Sequence, residues 1–495
     1  MRWAATSGLR WRLVRVAVAI CLVVLATACA DTHPPGSEKT RLVIFHVNDL
    51  HGEIGYLPRM AALIEAERRV NPDVLFLSAG DNFIGNPYVD QSDPRGEPML
   101  QLFNQMGLDL MTLGNHDFDY GQEALRRFVS RARFPVLCAN VLVLPEGIIS
   151  QPPPFAQLRT RGGLRIAVLG LIQIDGTRRL PDCHPDHLQG LVFYDDIQTG
   201  CHYGFLDGNN DLFIALTHLG LGRDKVLAQA MTELDLIVGG HSHTAMDRPL
   251  EVGGTLIVQA GSHGRYLGRI DLEFDEQRLV SRRARLLDLQ EAGREDPAVA
   301  ATVARIMDNP KLKETVTRME VPLEGKVELG NLATDAIRVG LRLDMAFYNA
   351  GGLRVNRLAG EVTLADLYAL HPFGNEIVVF EMTPSDIRSL IRYDVEHVAP
   401  LDLQVSGLSY TLVTAPDGGL RDVLLLGMND APLPEGRVFK VGMNNYMASV
   451  YRFDRRGPGR SSHRRMVDLM IDHLRGDVNV LPLKARRSRI RREGV

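Results

Sequence analysis

Histidines, aspartates and one asparagine recur in this chain at spacings that suit metal chemistry. Asn115, His116 and Asp119 fall within about one helical turn in Leu113-Gly-Asn-His-Asp-Phe-Asp119. An amide oxygen can ligate a metal, the histidine beside it can donate a proton, and an aspartate three residues on can hold that imidazole in place. Asp49 and His51 stand one residue apart in Asn48-Asp-Leu-His-Gly52, and Asp81 sits in Gly80-Asp-Asn-Phe83. His218 sits in Thr217-His-Leu-Gly220, and His241 and His243 in Gly239-Gly-His-Ser-His243. In an extended segment Asp-x-His and His-x-His project to the same side. Each block alone is an ordinary turn. Together, two Asp, one Asn and four His besides His116 make a ligand set for two metals. Imidazole with carboxylate suits Mn, Fe, Co, Ni or Zn and suits a lone Ca poorly.

Something must carry these residues to one place. Each block follows a short apolar run: Arg41-Leu-Val-Ile-Phe-His-Val47, Val74-Leu-Phe-Leu-Ser78, residues 108–113, Asp211-Leu-Phe-Ile-Ala-Leu216 and Asp235-Leu-Ile-Val238. Helix-period segments lie between them, at residues 57–69, 98–106 and 122–131. Continuous apolar strands alternating with helices predict a layered α/β domain with strands buried on both faces. In such sheets, sites gather at the carboxyl ends of strands, so blocks far apart in sequence can converge.

The five blocks NDLHG, GDNF, GNHDFD, THLG and GGHSH resemble the calcineurin-like metallophosphoesterase superfamily. More narrowly, the chain is similar to the bacterial periplasmic 5′-nucleotidase family and its animal ecto-5′-nucleotidase relatives. The resemblance implies an N-terminal β-sandwich flanked by helices, joined by a helical connector to a C-terminal α/β substrate domain. It implies two divalent metal ions: one held by Asp49, His51 and His243, the other by Asn115, His218 and His241, with Asp81 between them. A metal-held hydroxide would attack phosphorus in line. His116, oriented and kept cationic by Asp119, would stabilise charge at the reacting oxygen and protonate the leaving alkoxide. Asp117 is given no role.

Further on, Phe347-Tyr-Asn-Ala-Gly-Gly-Leu-Arg354 and Leu370-His-Pro-Phe-Gly-Asn375 resemble the family's nucleoside-contacting blocks. They imply Asn349, Arg354, Phe373 and Asn375 as substrate residues. A nucleobase is flat with a π face, so an aromatic clamp with a few hydrogen-bonding side chains suits it. The family's second aromatic precedes Gly-Gly-Asp-Gly-Tyr; here Asn444-Asn-Tyr446-Met-Ala-Ser-Val-Tyr451 loses that ending. Tyr446 is the expected ring, with Tyr451 as the fallback. The ribose-contacting aspartate has no clear equivalent, Asp454 being only nearby, and Lys326 replaces an arginine cluster before Gly330-Asn331. The expected activity is release of phosphate from 5′-nucleotides. A 2′,3′-cyclic phosphodiesterase/3′-nucleotidase or a nucleotide-sugar hydrolase is the alternative on the same scaffold, and a non-catalytic nucleotide-binding surface lipoprotein the alternative from another class.

The 495 residues, 45% hydrophobic and 23% charged, fit two domains and a terminal segment. A net charge of −4 gives no case for a nucleic acid polymer as partner. Arg2, Arg10, Arg12 and Arg15 precede an apolar run at residues 16–25 that is short for a membrane span. Leu25-Ala-Thr-Ala-Cys29 then resembles a bacterial lipoprotein cleavage box, implying lipidation at Cys29 and a periplasmic or cell-envelope address. The membrane partner is that lipid anchor alone. Cys138 reads as an inert buried thiol. Cys183 and Cys201 flank a loop read as solvated and could pair in an oxidising compartment. The expected division is signal 1–29, tether 30–40, metallophosphoesterase domain 41–290, helical connector 291–319, substrate domain 320–482 and a solvated basic tail 483–495.

Overall fold

The computed structural model describes residues 39–476 and 481–492. The expectations for the signal segment, Cys29 and nearly all of the tether lie outside the described residues.

Two six-stranded sheets stack face to face in the first domain. One is ordered Arg278–Asp288, Tyr266–Asp275, Thr40–Val47, Val74–Ser78, Leu110–Thr112, Val136–Leu137. The other runs Leu250–Val252, Thr255–Val258, Leu236–Val238, Leu212–His218, Arg165–Ile172, Phe155–Arg159. Period-two alternation explains the layering. Leu42, Ile44, Leu75 and Leu77 face Ile166, Val168, Ile214 and Leu216 between the sheets. Their neighbours Val43, Phe45 and Phe76 pack outward under helices Leu57–Arg68 and Glu97–Met106. Ala167, Leu169, Phe213 and Ile237 do the same on the opposite side, with Leu227 and Ala228 of helix Leu221–Ala230. Each fully buried Leu or Phe contributes about 1.5–3 kcal/mol, so both faces of both sheets are committed to burial.

Register then sets where the polar blocks emerge. Val47 pairs with Ser78 and Ser78 with Met111, all in parallel. In the second sheet Leu216 pairs with Gly170 and with Val238, again in parallel. All five blocks therefore leave their sheets at one edge of the sandwich.

The connector differs from expectation. Its helix spans only Pro297–Met307, ending before Pro310, and its Val299 and Val303 pack into the first domain. Thr315–Glu324 is a strand paired antiparallel with Arg357–Thr363. Gly330 and Asn331 lie inside a helix that runs Gly325–Gly340.

A five-stranded sheet, ordered Leu403–Ser406, Met345–Asn349, Phe439–Asn444, Glu376–Met382, Arg460–Arg465, centres the second domain. Helices Gly325–Gly340 and Met466–Arg475 contribute to one core cluster with Ala346 and Ile377. Helix Pro384–His397 and strand Leu408–Thr414 contribute to another, with Phe347, Phe380 and Val441. The basic tail is partly paired, although most of its paired residues are exposed. Ser488–Arg492 is a strand parallel to Leu408–Thr414. Arg487 donates from Nη1 and Nη2 to the two Asp335 oxygens at 2.7 and 2.8 Å, and from Nη1 to Val405 O. Backbone pairing and a bidentate carboxylate outweigh the mutual repulsion of exposed arginines.

Candidate metal centre and the cleft beside it

The turns after the strands have an unusual backbone. Asp49, His51, Asp81, His241 and His243 all have positive φ, at 50°, 49°, 55°, 75° and 54°. L-residues avoid this region at a cost of about 1–2 kcal/mol each. The surrounding hydrogen bonds hold them there. Asp49 N donates to Gly80 O, His51 N to Asp81 O, and His241 N to Asp49 Oδ2 at 2.9 Å. Asn48 clamps the same turn, donating to Gly261 O and accepting from Ala260 N. Strain concentrated in one cluster marks it as a functional site.

Two groups of ligand atoms result, Asp49 with His51 and His243, and Asp81 with His218 and His241, each with its atoms within 4.8 Å of one another. His51 Nε2 lies 3.1 Å from His243 Nε2, which lies 3.2 Å from Asp49 Oδ1. His218 Nε2 lies 3.0 Å from Asp81 Oδ2 and 3.9 Å from Asp49 Oδ1, so the two groups adjoin. Asn115 Oδ1 lies 3.1 Å from His241 Nδ1, while its Nδ2 donates to Asp182 O.

This arrangement fits divalent cations. His51 Nδ1 faces Ile84 O at 3.2 Å and His218 Nδ1 faces Ala79 O at 2.7 Å. A carbonyl accepts only, so both Nδ1 atoms carry a proton, and Nε2 is the atom through which each ring would offer a lone pair to a cation. His218 Nε2 is buried without a hydrogen-bond partner despite its proximity to Asp81, which it meets off the hydrogen-bond direction. Burial, with His116 next, pushes His51 well below the ordinary imidazole value, and burial, with His218 next, takes His241 down to about 4. For His218 burial also opposes charge, but Asp81 and Asp49 outweigh it and hold the group up to about 10. The centre therefore demands positive charge between Asp81 and Asp49, and neutral imidazoles beside it stand ready as ligands.

His116 sits next to this pair of groups. Its N–H donates to Asp81 Oδ1 at 2.8 Å, and its Nδ1 lies 2.6 Å from Asp119 Oδ2. Burial works against its charge, yet the carboxylates of Asp81 and Asp119 keep its pKa above the ordinary value.

Sequence reasoning missed the scaffold behind these residues. Asp117 is fully buried and accepts from Gly114 N, Asp81 N and Asn82 N at 2.8, 3.1 and 2.9 Å. It ties two of the five turns together. Its position three residues after Gly114, where an acid caps a turn's N–H groups, was the available signal. Asp224 does similar work, accepting from Thr217 Oγ1 and from Gln259 Nε2, which also reaches Gly240 O.

A cavity of about 530 Å³ runs from His116 and His241 into the space between the domains. The second domain lines it with Asn349, Arg354, Phe373, Asn375, Tyr446 and Asp402. Phe373 lies against His116, with ring centres 5.8 Å apart, and the Arg354 guanidinium lies 5.6 Å from the Phe373 ring centre. Burial lowers the pKa of Arg354, while Asp81, Asp119 and Asp49 pull the other way, so its charge is felt inside the first domain's centre. Asn349 Oδ1 accepts from Asn444 Nδ2 at 2.8 Å.

Several expectations change here. Tyr451 is 3% exposed and its hydroxyl donates to Asp394, so Tyr446 is the better-placed ring. Asp454 is exposed and its backbone N–H is bonded to Ser389; the carboxylate lining the cavity in the second domain is Asp402. Lys326 staples the carbonyls of Leu353 and Val355, while Arg178, Arg354 and Arg452 are the cations along the cavity. The loop bounded by Cys183 and Cys201, expected to be solvated, begins as a cavity wall, with Cys183, His184 and His187 lining the cavity and Cys183 3% and His184 8% exposed. That wall keeps the two cysteines apart. Cys183 is buried beside the cavity, Cys201 is exposed on helix Asp196–His202, and both are free thiols. His202, on the same helix, turns its Nδ1 to Gln198 O.

The calcineurin-like phosphoesterase family model matches residues 42–245, and the 5′-nucleotidase C-terminal domain model matches residues 303–451. The chain belongs to the calcineurin-like phosphoesterases that carry a 5′-nucleotidase C-terminal domain, a family of metal-dependent hydrolases. It is 28% identical over 485 residues to the trifunctional nucleotide phosphoesterase protein YfkN of Bacillus subtilis, covering 85% of this chain but 32% of the relative. It is 28% identical over 477 residues to the 5′-nucleotidase of Vibrio vulnificus, covering 81% of this chain and 85% of that one. Thus it spans about a third of YfkN but most of the Vibrio protein. The crystal structure of a 5′-nucleotidase precursor from Thermus thermophilus superposes with a TM-score of 0.77 at 25% identity, covering 91% and 99% of the two chains.

Proposed function

We propose that the protein is a dinuclear-metal phosphohydrolase that releases phosphate from nucleotides, 5′-monophosphates first. The observation that carries this is a cavity in which Asn115, His116 and His241, at the edge of two adjoining ligand groups, face an aromatic, amide and guanidinium set from the second domain. A cation pair would supply Lewis-acid charge at the phosphoryl oxygens and a nucleophile at neutral pH. Asp49, His51 and His243 would hold one ion; Asn115, His218 and His241 the other; Asp81 would reach both. Arg354 brings a fixed positive charge to the same space, where a phosphate carries two negative charges. His116 presents a proton held by Asp119, suited to a leaving alkoxide. Phe373 and Tyr446 offer ring faces to a base, and Asn349 and Asn375 offer amides to its polar atoms.

We place the protein outside the cytoplasm, tethered through Cys29. The support is the basic-then-apolar leader ending in Leu25-Ala-Thr-Ala-Cys29, together with a described chain in which no helix is long and apolar enough to cross a membrane. Membrane fractionation of the host should lose the protein to the soluble fraction on Cys29→Ser; retention in the membrane would reject the anchor.

The experiment for the activity is phosphate release from nucleoside 5′-mono-, 3′-mono-, di- and 2′,3′-cyclic phosphates after chelation, with and without added Mn²⁺. Release from 5′-monophosphates restored by the metal is expected. Release from cyclic or diphosphate esters alone would move the substrate to the altered residues 446–457.

A further inference from the structure

The reading above places a nucleoside in the cleft, and the present inference rests on that placement. Residues 175–187 of the first domain form the wall opposite the nucleoside blocks. This wall is tied to both domains. Asp182 O accepts from Asn115 Nδ2 at 3.0 Å, beside the metal centre. His184 Nε2 lies 3.4 Å from Ser449 Oγ, on the helix Asn445–Val450 that carries Tyr446.

Arg178 fills this wall. Its side chain is 15% exposed, its Nη2 donates to Asp182 Oδ1, and Asp175 Oδ1 lies 3.7 Å from its Nε. Its Nη1 is buried and has no hydrogen-bond partner. Arg178, Asp182 and Tyr446 line the same cavity. A buried N–H group left without an acceptor is costly, so an acceptor brought by a ligand is the natural complement.

Two ligand groups could supply that acceptor, a second phosphate or the edge of a base. Charge decides between them. Asp175 and Asp182 surround one guanidinium, so the wall is net negative and repels a further phosphate. A neutral base edge feels no such repulsion. A base held against the ring of Tyr446, which lines the cavity together with Arg178 and Asp182, would turn its edge toward this wall. There it would meet a donor, the Arg178 guanidinium, next to an acceptor, the Asp182 carboxylate, once a small shift of Arg178 uncovers the buried Nη1.

We propose that Arg178 and Asp182 read the base, and that they select nucleotides whose base has a keto oxygen beside a ring N–H. Guanine, hypoxanthine and uracil have that edge, with O6 or O4 to accept from Arg178 and N1–H or N3–H to donate to Asp182. Adenine and cytosine present the reverse order, an amino group facing Arg178 and a bare ring nitrogen facing the carboxylate. That mismatch opposes donor to donor and acceptor to acceptor. Selection is therefore within each ring size, guanine over adenine and uracil over cytosine, and stacking strength does not enter it.

The test is calorimetric binding of guanosine, adenosine, uridine and cytidine to the full chain loaded with Mn²⁺. Guanosine should bind about tenfold more tightly than adenosine, and uridine about tenfold more tightly than cytidine. Arg178→Met should bring both ratios to near one, and Arg178→Lys, which keeps a donor but not the planar fork, should leave an intermediate ratio. Equal or reversed affinities within each pair in the unmodified protein would overturn the proposal. So would ratios that survive Arg178→Met. Phosphate release from the four 5′-monophosphates, measured alongside, separates the two levels. Hydrolysis without base preference in binding rejects the base reading alone; neither nucleoside binding nor hydrolysis rejects both.

Discussion

The metal centre and the cleft beside it are built by opposite means. In the centre the polypeptide backbone does the placing. Asp49, His51, Asp81, His241 and His243 are fixed in left-handed turns at the ends of buried parallel strands. Even a methyl group is excluded at Gly114, where a Cβ would lie 2.2 Å from Asp81 Oδ1. In the cleft, side chains do the placing. Arg354 and Phe373 come from loops of one domain, Arg178 and Asp182 from a loop of the other, and among the described residues no sheet joins them. Metal ligation tolerates errors of a few tenths of an ångström, and only an over-determined backbone holds that tolerance. Substrate choice can be altered one side chain at a time without disturbing it.

The largest expected effect tests the rigid half. Asp81 touches His218, His116 and the adjoining ligand group, so Asp81→Ala should empty the centre of metal. Loss of several kcal/mol of charge stabilisation corresponds to about a thousandfold or greater fall in phosphate release. Elemental analysis of the purified variant beside its rate checks this; full metal content with near-normal rate would break the account of the centre. Next in size, His116→Asn should lower kcat by about a hundredfold or more while metal content stays, since proton transfer is lost and no ligand is removed. Phe373→Ala addresses the other half. It should lower kcat/KM for nucleotides by about ten- to a hundredfold, in proportion to the ring area lost, and leave metal content intact. A matching loss of metal would mean that the two regions are not separable. The smallest effect lies away from both. Arg487→Ala removes a bidentate ion pair to Asp335, worth about 1–3 kcal/mol. A fall in melting temperature of a few degrees without change in KM is expected.

The same contrast explains what was legible in the sequence. Strand positions were read from apolar runs because burial on both faces leaves a continuous signal: Val74–Ser78 is the run itself, and Thr40–Val47 extends its run by one residue. The residues in the five turns were identified by chemistry and spacing, and the structure brings Asp49, His51, Asp81, His218, His241 and His243 into two adjoining groups. What failed was whatever depended on a partner far along the chain. Asp117 looked idle because two of its three donors, Asp81 N and Asn82 N, belong to the backbone of another turn. The start of the loop bounded by Cys183 and Cys201 looked solvated because the helix that His184 meets, Asn445–Val450, lies more than two hundred residues later in the other domain. The basic tail looked free because its strand partner, Leu408–Thr414, carries no charge pattern that points to it.

The most direct test of the central claim is titration of chelated protein with Mn²⁺, following bound metal and phosphate release from a 5′-monophosphate together. The account predicts no release from the chelated chain and full rate only as a second metal ion per chain is bound. Full rate at one ion per chain, or release that persists after both are removed, would contradict it.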